Sequence, residues 1–181
     1  MTPNLSRREA VRQLAAAGII LGTGKAAWAE DDASPKPAYP PAKKKVEKGP
    51  RLDLDLVREF VGAAHGDLEK TKKLLAEKPS LINATHDWSG GDWETALGGA
   101  SHMGRRDIAE FLLANNARLD IFAATMLGKL EVVKAVFEAF PDTLSVPGPH
   151  GIPLIRHAEA GRSEAAPVLE FLRSIESARK S

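Results

Sequence analysis

The sequence predicts an all-α fold, a solenoid of about four helix–turn–helix repeats. One observation is the stretch 94–113, which has the pattern of two short helices with Gly104 at the turn. The second of these helices places Ile108, Phe111 and Leu112 at i, i+3 and i+4, on one apolar face. Helices this short are not stable alone in water, so the pair has to bury its apolar face against a similar pair.

A second observation is that this pattern recurs along the chain. Aligned on the turn glycine, it is found again after Gly66 and Gly128 and more weakly after Gly161, at intervals of 38, 24 and 33 residues. A unit of about 33 residues is typical of solenoids. The short middle interval predicts a reduced connection between units two and three, with Asp120 both ending one unit and capping the helix that follows.

The elements can be assigned in order along the chain. The first unit starts at Asp53 or Asp55, either of which can cap a helix, and its second helix ends before Pro79. The third unit spans residues 122–140 and is strongly apolar on one face. The last helix, residues 163–178, ends in polar residues, which is typical of a repeat that shields the end of a stack.

The repeats resemble the ankyrin family. Thr95 and Leu97 stand where that family opens with Thr-Pro-Leu-His, residues 116–120 are similar to its Gly-Ala-Asp-Val-Asn ending, and residues 153–154 keep its Pro-Leu pair. The resemblance covers roughly residues 53–175. It implies a stack with a concave face, lined by the two positions that precede each turn glycine.

The first thirty residues have the pattern of a cleavable export signal. A charged start is followed by an apolar run, residues 14–24, and by a small-x-small end that predicts cleavage after Ala29. The pair Arg7 and Arg8 resembles the twin-arginine signal, which implies folding before export to the periplasm or a similar compartment. The alternatives are a short amphipathic helix with incidental arginines and an uncleaved anchor, although the run is shorter than the ~20 apolar residues that a spanning helix needs.

Three regions follow from this assignment: a signal peptide at residues 1–29, a linker at 30–50 and a repeat domain at 51–181. The linker holds five of the twelve prolines and five lysines, which predicts a disordered, extended tether; the alternative is a lysine run that contacts anions of the cell wall or membrane. Removal of the signal leaves 21 basic against 23 acidic side chains. This balance gives no electrostatic case for nucleic acid or for an anionic membrane as a partner. Once the signal is cleaved, we expect no stable insertion in a membrane.

The longest connection, residues 83–93, is the best candidate for a binding site. It contains two tryptophans, and large aromatic side chains are favoured contact anchors. We expect one of the two to pack on the small residues that follow and the other to remain available. The candidate binding residues, in this loop and on the predicted concave groove, are Trp88, Asp92, Trp93, Glu94, His102 and Met126.

Some of these candidates also have a purely structural interpretation. Met126 then belongs to the core between repeats, and His102 is a histidine held by hydrogen bonds within the fold. For His150 and His157 we favour bracing of the last turn by hydrogen bonds, as the ankyrin resemblance implies.

Signatures of catalysis are absent from the sequence. There is no His-Glu-x-x-His or similar metal-ligand spacing, no Gly-x-Ser-x-Gly, no cysteine and no phosphate loop. Acid and base chemistry stays open, because the acidic residues of 87–94 lie near His86 and His102. We therefore expect no cofactor, no metal and no enzyme.

The function expected from the sequence is protein–protein interaction. An exported, monomeric repeat protein would bind an unidentified envelope protein through the loop from Trp88 to Trp93 and the concave groove. The alternative is a receptor for a small ligand, or an unrecognised enzyme, that uses the same groove.

Overall fold

A computed structural model describes residues 49–180 of the protein. Within this range the chain is mostly helical, as predicted, and contains one short β-hairpin. The predicted signal at 1–29 and all but the last residues of the linker at 30–50 lie outside the described residues. No helix in the described part of the chain is long and apolar enough to cross a membrane.

The helices occur as consecutive pairs along the chain, and the two strands form one hairpin. The α-helices are α1 (Leu54–Ala63), α2 (Leu68–Glu77), α3 (Ala96–His102), α4 (Arg106–Ala114), α5 (Ile121–Met126), α6 (Leu130–Ala139), α7 (Leu154–Ala160) and α8 (Ala166–Lys180). Short 3-10 turns lie at Pro79–Asn83, Pro141–Ser145, Pro149–Gly151 and Arg162–Ala165. The hairpin joins β1 (Thr85–Asp87) to β2 (Trp93–Thr95), antiparallel, with Thr85 opposite Thr95 and Asp87 opposite Trp93.

Side-chain caps fix where four of the helices begin. Asp53, Asp67, Thr95 and Asp120 each accept a hydrogen bond from the backbone N–H three residues later, at 2.7–3.0 Å. Each bond satisfies a donor that the first turn of a helix leaves without a partner. Asp120 caps α5 as predicted, and no hairpin separates α4 from α5.

The first helices of the pairs pack against one another in succession. Helix α1 contacts α3, α3 contacts α5, and α5 contacts α7, while α2 contacts α4 and α6 contacts α8. Because α5 has only six residues, it separates its neighbours incompletely, and α3 also contacts α7. The core is mainly apolar, with Phe60, Leu97 and Ile108 fully or almost fully buried in one cluster and Leu154 and Leu172 in the next.

The turn of the last pair differs from the turns that follow α3 and α5. Gly104 and Gly128 adopt positive φ angles of 65° and 72°, which glycine tolerates at no steric cost. In the last pair the residue with positive φ is Arg162, at 55°, and Gly161 is required for a different reason. A Cβ at Gly161 would lie 2.1 Å from the carbonyl oxygen of Met126, so the two chain segments touch there.

A buried polar contact joins α3 to α7. The Nδ1 of His157 lies 3.0 Å from Ser101 Oγ, and both side chains are inaccessible to solvent. The other ring nitrogen, Nε2, has no hydrogen-bond partner. Burial and the neighbouring His102 lower the pKa of His157 from 6.5 to about 4, so the folded protein holds this ring neutral.

Acidification should therefore destabilise the fold through His157. Between pH 6.5 and 4 the unfolded chain binds a proton that the folded protein does not, so the free energy of unfolding falls as pH falls. The expected loss at pH 5 is about 2 kcal/mol. Urea denaturation at pH 7 and pH 5 measures it. The double variant Ser101→Ala/His157→Phe, which removes both polar partners, should lack this part of the loss; an unchanged pH dependence in the variant would contradict the assignment.

Candidate metal centre

Four side chains from separate parts of the chain converge in one place. They are His65 in the turn after α1, Glu94 in β2, His102 at the end of α3 and His150 in the turn before α7. One potential ligand atom from each lies within 4.8 Å of all the others. Three imidazoles and one carboxylate thus share a space that a single ion would fill.

Strand alternation directs Glu94 into this cluster. Successive side chains of a strand point to opposite faces. Glu94 is 1% exposed, whereas Trp93, its neighbour in β2, is 60% exposed. The hairpin therefore presents its carboxylate inward and its indole outward.

A glycine in α3 leaves room for His65. A Cβ at Gly99 would lie 2.7 Å from Cε1 of the His65 ring, closer than carbon atoms pack. The run of small residues in α3 lets the ring of a neighbouring turn lie directly on the helix. Any larger residue at position 99 would displace His65 from the cluster.

The inner atoms of the cluster lie at short distances from one another. Glu94 Oε2 is 3.3 Å from the Nε2 of His65 and 3.3 Å from the Nε2 of His150. Glu94 Oε1 is 2.9 Å from the Nε2 of His102. The Nε2 atoms of His65 and His102 are 3.2 Å apart. All three histidines thus turn the same ring nitrogen toward the carboxylate.

Hydrogen bonds on the outer side orient two of these rings. His65 Nδ1 lies 2.9 Å from the carbonyl oxygen of Val61, which can only accept, so Nδ1 carries the proton and Nε2 keeps its lone pair in the neutral ring. His150 Nδ1 lies 2.7 Å from Asp92 Oδ2, while Asp92 Oδ1 accepts the backbone N–H of His150 at 2.8 Å. Metal-binding histidines are oriented in this way by a carbonyl or carboxylate at the second ring nitrogen.

The contacts of Asp92 also stabilise an unusual backbone. His150 has φ 59°, a conformation that costs energy for a residue with a side chain. Two hydrogen bonds from one carboxylate tie it to the hairpin, 58 residues earlier in the chain. Donation by the His150 backbone and ring also lowers the pKa of Asp92, which keeps it ionised at neutral pH.

The Glu94 carboxylate is ionised despite its burial. Burial opposes the charged form, but the side chains of His102, His65 and Trp88 beside the carboxylate outweigh it and hold the pKa of Glu94 well below its usual range. In return, hydrogen bonding to Glu94 raises the pKa of His65. The centre is therefore a buried anion surrounded by imidazoles.

One oxygen of this anion lacks an aligned hydrogen bond. Trp88 donates its indole N–H to Glu94 Oε2 at 2.7 Å. Oε1 is buried and has no hydrogen-bond partner, although His102 Nε2 lies close to it. A buried carboxylate oxygen of this kind needs a further positive partner, which a cation would supply.

The separation of two of the nitrogens fits shared coordination. Two imidazoles bound to one zinc-like ion at ~2.0–2.1 Å have nitrogens roughly 2.9–3.4 Å apart, for right-angle to tetrahedral geometry. The 3.2 Å between the Nε2 atoms of His65 and His102 lies in that interval. The donor set, three imidazoles and a carboxylate, is one that divalent transition metals accept.

Four of the six predicted binding residues belong to this centre. Glu94 and His102 supply potential ligand atoms, and Trp88 and Asp92 hold ligands by hydrogen bonds. Trp93 lies on the outer face of the hairpin and takes no part.

The prediction that Met126 lines a groove is wrong. Its side chain is fully buried and belongs to the core, because α5 packs between α3 and α7. This is the structural alternative that the sequence left open for Met126.

Two of the ligands were not identified from the sequence. The predicted site does not include His65, and His150 is predicted to brace the last turn by hydrogen bonds, which its bonds to Asp92 do provide. A search for local ligand spacing finds neither, because the four ligands come from four separate segments. A usable signal does exist: each of the three histidines stands one or two residues before a glycine, at Gly66, Gly104 and Gly151.

Comparisons with known proteins add no family assignment: no protein-family model matches the chain, and no curated protein matches its sequence. The function is therefore inferred from the geometry of the centre.

Replacement of Trp88 by phenylalanine should destabilise the fold, because it removes a hydrogen bond to a buried charge. The expected loss in the free energy of unfolding is about 1.5–3 kcal/mol. Trp93→Phe is the matched control, since that indole is largely exposed, and should change stability by less than about 0.5 kcal/mol. Urea denaturation followed by far-UV circular dichroism measures both. Equal stabilities of the two variants would contradict the role given to Trp88.

Proposed function

We propose that the protein binds one divalent transition-metal ion through His65, Glu94, His102 and His150. The observation that supports this most directly is the convergence of three imidazole nitrogens and a buried carboxylate oxygen within 4.8 Å. Hydrogen bonds already fix the tautomer and the orientation of two of the rings. The side chains of such a centre have to rearrange little when the ion binds.

The donor atoms favour ions of intermediate softness. Imidazole suits zinc, copper, iron and nickel, and a single carboxylate oxygen is compatible with each of them. Thiolate, which selects Cu⁺, is unavailable because the chain contains no cysteine. We therefore propose Zn²⁺, Cu²⁺ or Ni²⁺ as the ion, in preference to Ca²⁺ or Mg²⁺, which take oxygen ligands.

An ion at this position would connect distant segments of the chain. His65 follows α1, Glu94 belongs to the hairpin, and His150 precedes α7. A cation bound to all three joins the first helix pair, the hairpin and the last turn. Because the ion binds only the folded arrangement, its binding free energy adds to the free energy of unfolding.

The scaffold that presents the centre is, in our proposal, an ankyrin-like solenoid behind an export signal. Support comes from the successive contacts of α1, α3, α5 and α7 and from the glycine turns at the repeat period. The proposal of export to the periplasm rests on the sequence of residues 1–29 alone. If the protein folds before export, it can bind its metal ion either before or after it crosses the membrane.

Titration with Ni²⁺, Cu²⁺ or Zn²⁺ should show one site per chain. The paramagnetic ions should also quench the fluorescence of Trp88, whose indole nitrogen contacts a ligand. Glu94→Gln and His102→Ala should each weaken binding by at least tenfold, because each removes a ligand. His86→Ala is the matched control: the ring lies 4.6 Å from Trp88 but outside the ligand set, so the affinity should stay within twofold.

The variants have to be folded for this comparison to count. Far-UV circular dichroism establishes that before the titration. A folded protein that binds none of the three ions, or whose affinity is the same in Glu94→Gln as in the original, would overturn the proposal.

Interaction with another protein is a second candidate function, favoured by the exposure of Trp93. An indole that is 60% exposed on the outer face of a hairpin is free to enter a partner's pocket. Crosslinking in intact envelope followed by affinity recovery tests it. A specific partner should be lost in Trp93→Ala and retained in Trp88→Phe, and equal recovery by both variants would refute the role of Trp93.

A further inference from the structure

The four ligands differ in their access to solvent. The side chain of Glu94 is completely buried and that of His102 is 8% exposed, whereas those of His65 and His150 are 25% and 32% exposed. Glu94 and His102 therefore form the buried side of the centre, and its more exposed side, called the open side below, lies between His65 and His150. The ring geometry agrees: the centroids of His65 and His150 are 6.4 Å apart, against 4.9 Å for His65 and His102 and 5.3 Å for His102 and His150.

We propose that Cu²⁺ or Ni²⁺ held here keeps one coordination position turned to solvent between His65 and His150, and that this position exchanges water for small monovalent anions. The inference rests on the metal binding proposed above and concerns what the bound ion can do. Structural metal sites are closed by protein ligands, whereas sites that act on a ligand keep a position open.

The hydrogen bonding of the Glu94 carboxylate indicates a low number of protein ligands. Trp88 donates to Glu94 Oε2 at 2.7 Å, which engages that oxygen, while Oε1 has no hydrogen-bond partner. Glu94 therefore offers one oxygen that no hydrogen bond engages, and we count it as a single ligand. With three imidazoles this makes four protein ligands, fewer than the five or six that Cu²⁺ and Ni²⁺ accept in tetragonal sites.

The charge of the centre selects the class of the exchanging ligand. A divalent ion with one carboxylate and three neutral imidazoles carries one net positive charge. The second nearby carboxylate, Asp92, is engaged on the far nitrogen of His150 and on its backbone N–H, away from the inner atoms. A ligand with a single negative charge, such as hydroxide, azide or a halide, neutralises the centre.

An aromatic ring lies next to both of the more exposed histidines. The indole centroid of Trp88 is 5.9 Å from that of His65 and 6.0 Å from that of His150. A ligand that binds between the two histidines would therefore lie near this indole.

Azide titration of the copper-loaded protein tests this inference. One equivalent of Cu²⁺ is added first, and nitrogen hyperfine structure in the electron paramagnetic resonance spectrum establishes binding by imidazole. Azide should then produce a charge-transfer absorption that saturates at one azide per copper. Copper added to Glu94→Gln at the same concentration is the control for adventitious binding and should give less than a tenth of this absorption.

The outcomes separate the two proposals. A copper spectrum with nitrogen ligands that azide leaves unchanged would retain metal binding and overturn the open position. Absence of copper, nickel and zinc binding by the folded protein would overturn the metal centre and the open position together. Azide absorption of equal strength in Glu94→Gln would assign the band to surface copper and overturn the inference.

Discussion

A buried negative charge is the constraint on which this structure depends. Glu94 lies in the short strand β2 with its side chain completely removed from solvent, yet it stays ionised. An isolated carboxylate in such a place would cost many kcal/mol and would be protonated instead. Here Trp88 and three imidazoles from distant segments face the two oxygens. Much of the unusual local structure, including the hairpin and the strained turn at His150, serves to bring those groups to one anion.

This constraint links the electrostatics of the centre to the packing of the helices. His65 reaches Glu94 only because Gly99 leaves its ring a place on α3. His150 reaches it only because Asp92 holds a left-handed backbone conformation in place. Small residues and backbone strain are thus concentrated where the polar groups meet, as is common at sites that bind ligands.

The sequence was sufficient for much of the helical framework because the signals involved are local. A cap such as Asp120 acts on an N–H three residues away, and turn glycines such as Gly104 and Gly128 are recognisable from their own neighbours. The site was only half predictable. Glu94 and His102 were found because they lie in or beside one conspicuous loop, but Trp93 was grouped with them although alternation along β2 turns it outward.

What the sequence did not reveal was proximity between segments far apart in the chain. His65 and Glu94 are 29 positions apart, and His150 lies 56 positions beyond Glu94, so no local pattern relates them. The prediction for Met126 was wrong for a different reason. This position was expected on a groove, but it is buried because α5 is packed by helices on both sides. Both errors concern tertiary packing, which the repeat pattern describes only on average.

The short connection between α4 and α5 has a consequence of its own. Residues 78–95 and 140–153 form long connections that carry the hairpin and the turn at His150, whereas residues 115–120 form no hairpin between them. Packed helices stand about 8–10 Å apart, so an additional hairpin at that point would lie between Asp92 and His150 and keep them from touching. The short connection at residues 115–120 therefore adds nothing between the two long connections. Asp92 in one of them and His150 in the other are close enough to share a carboxylate through two hydrogen bonds.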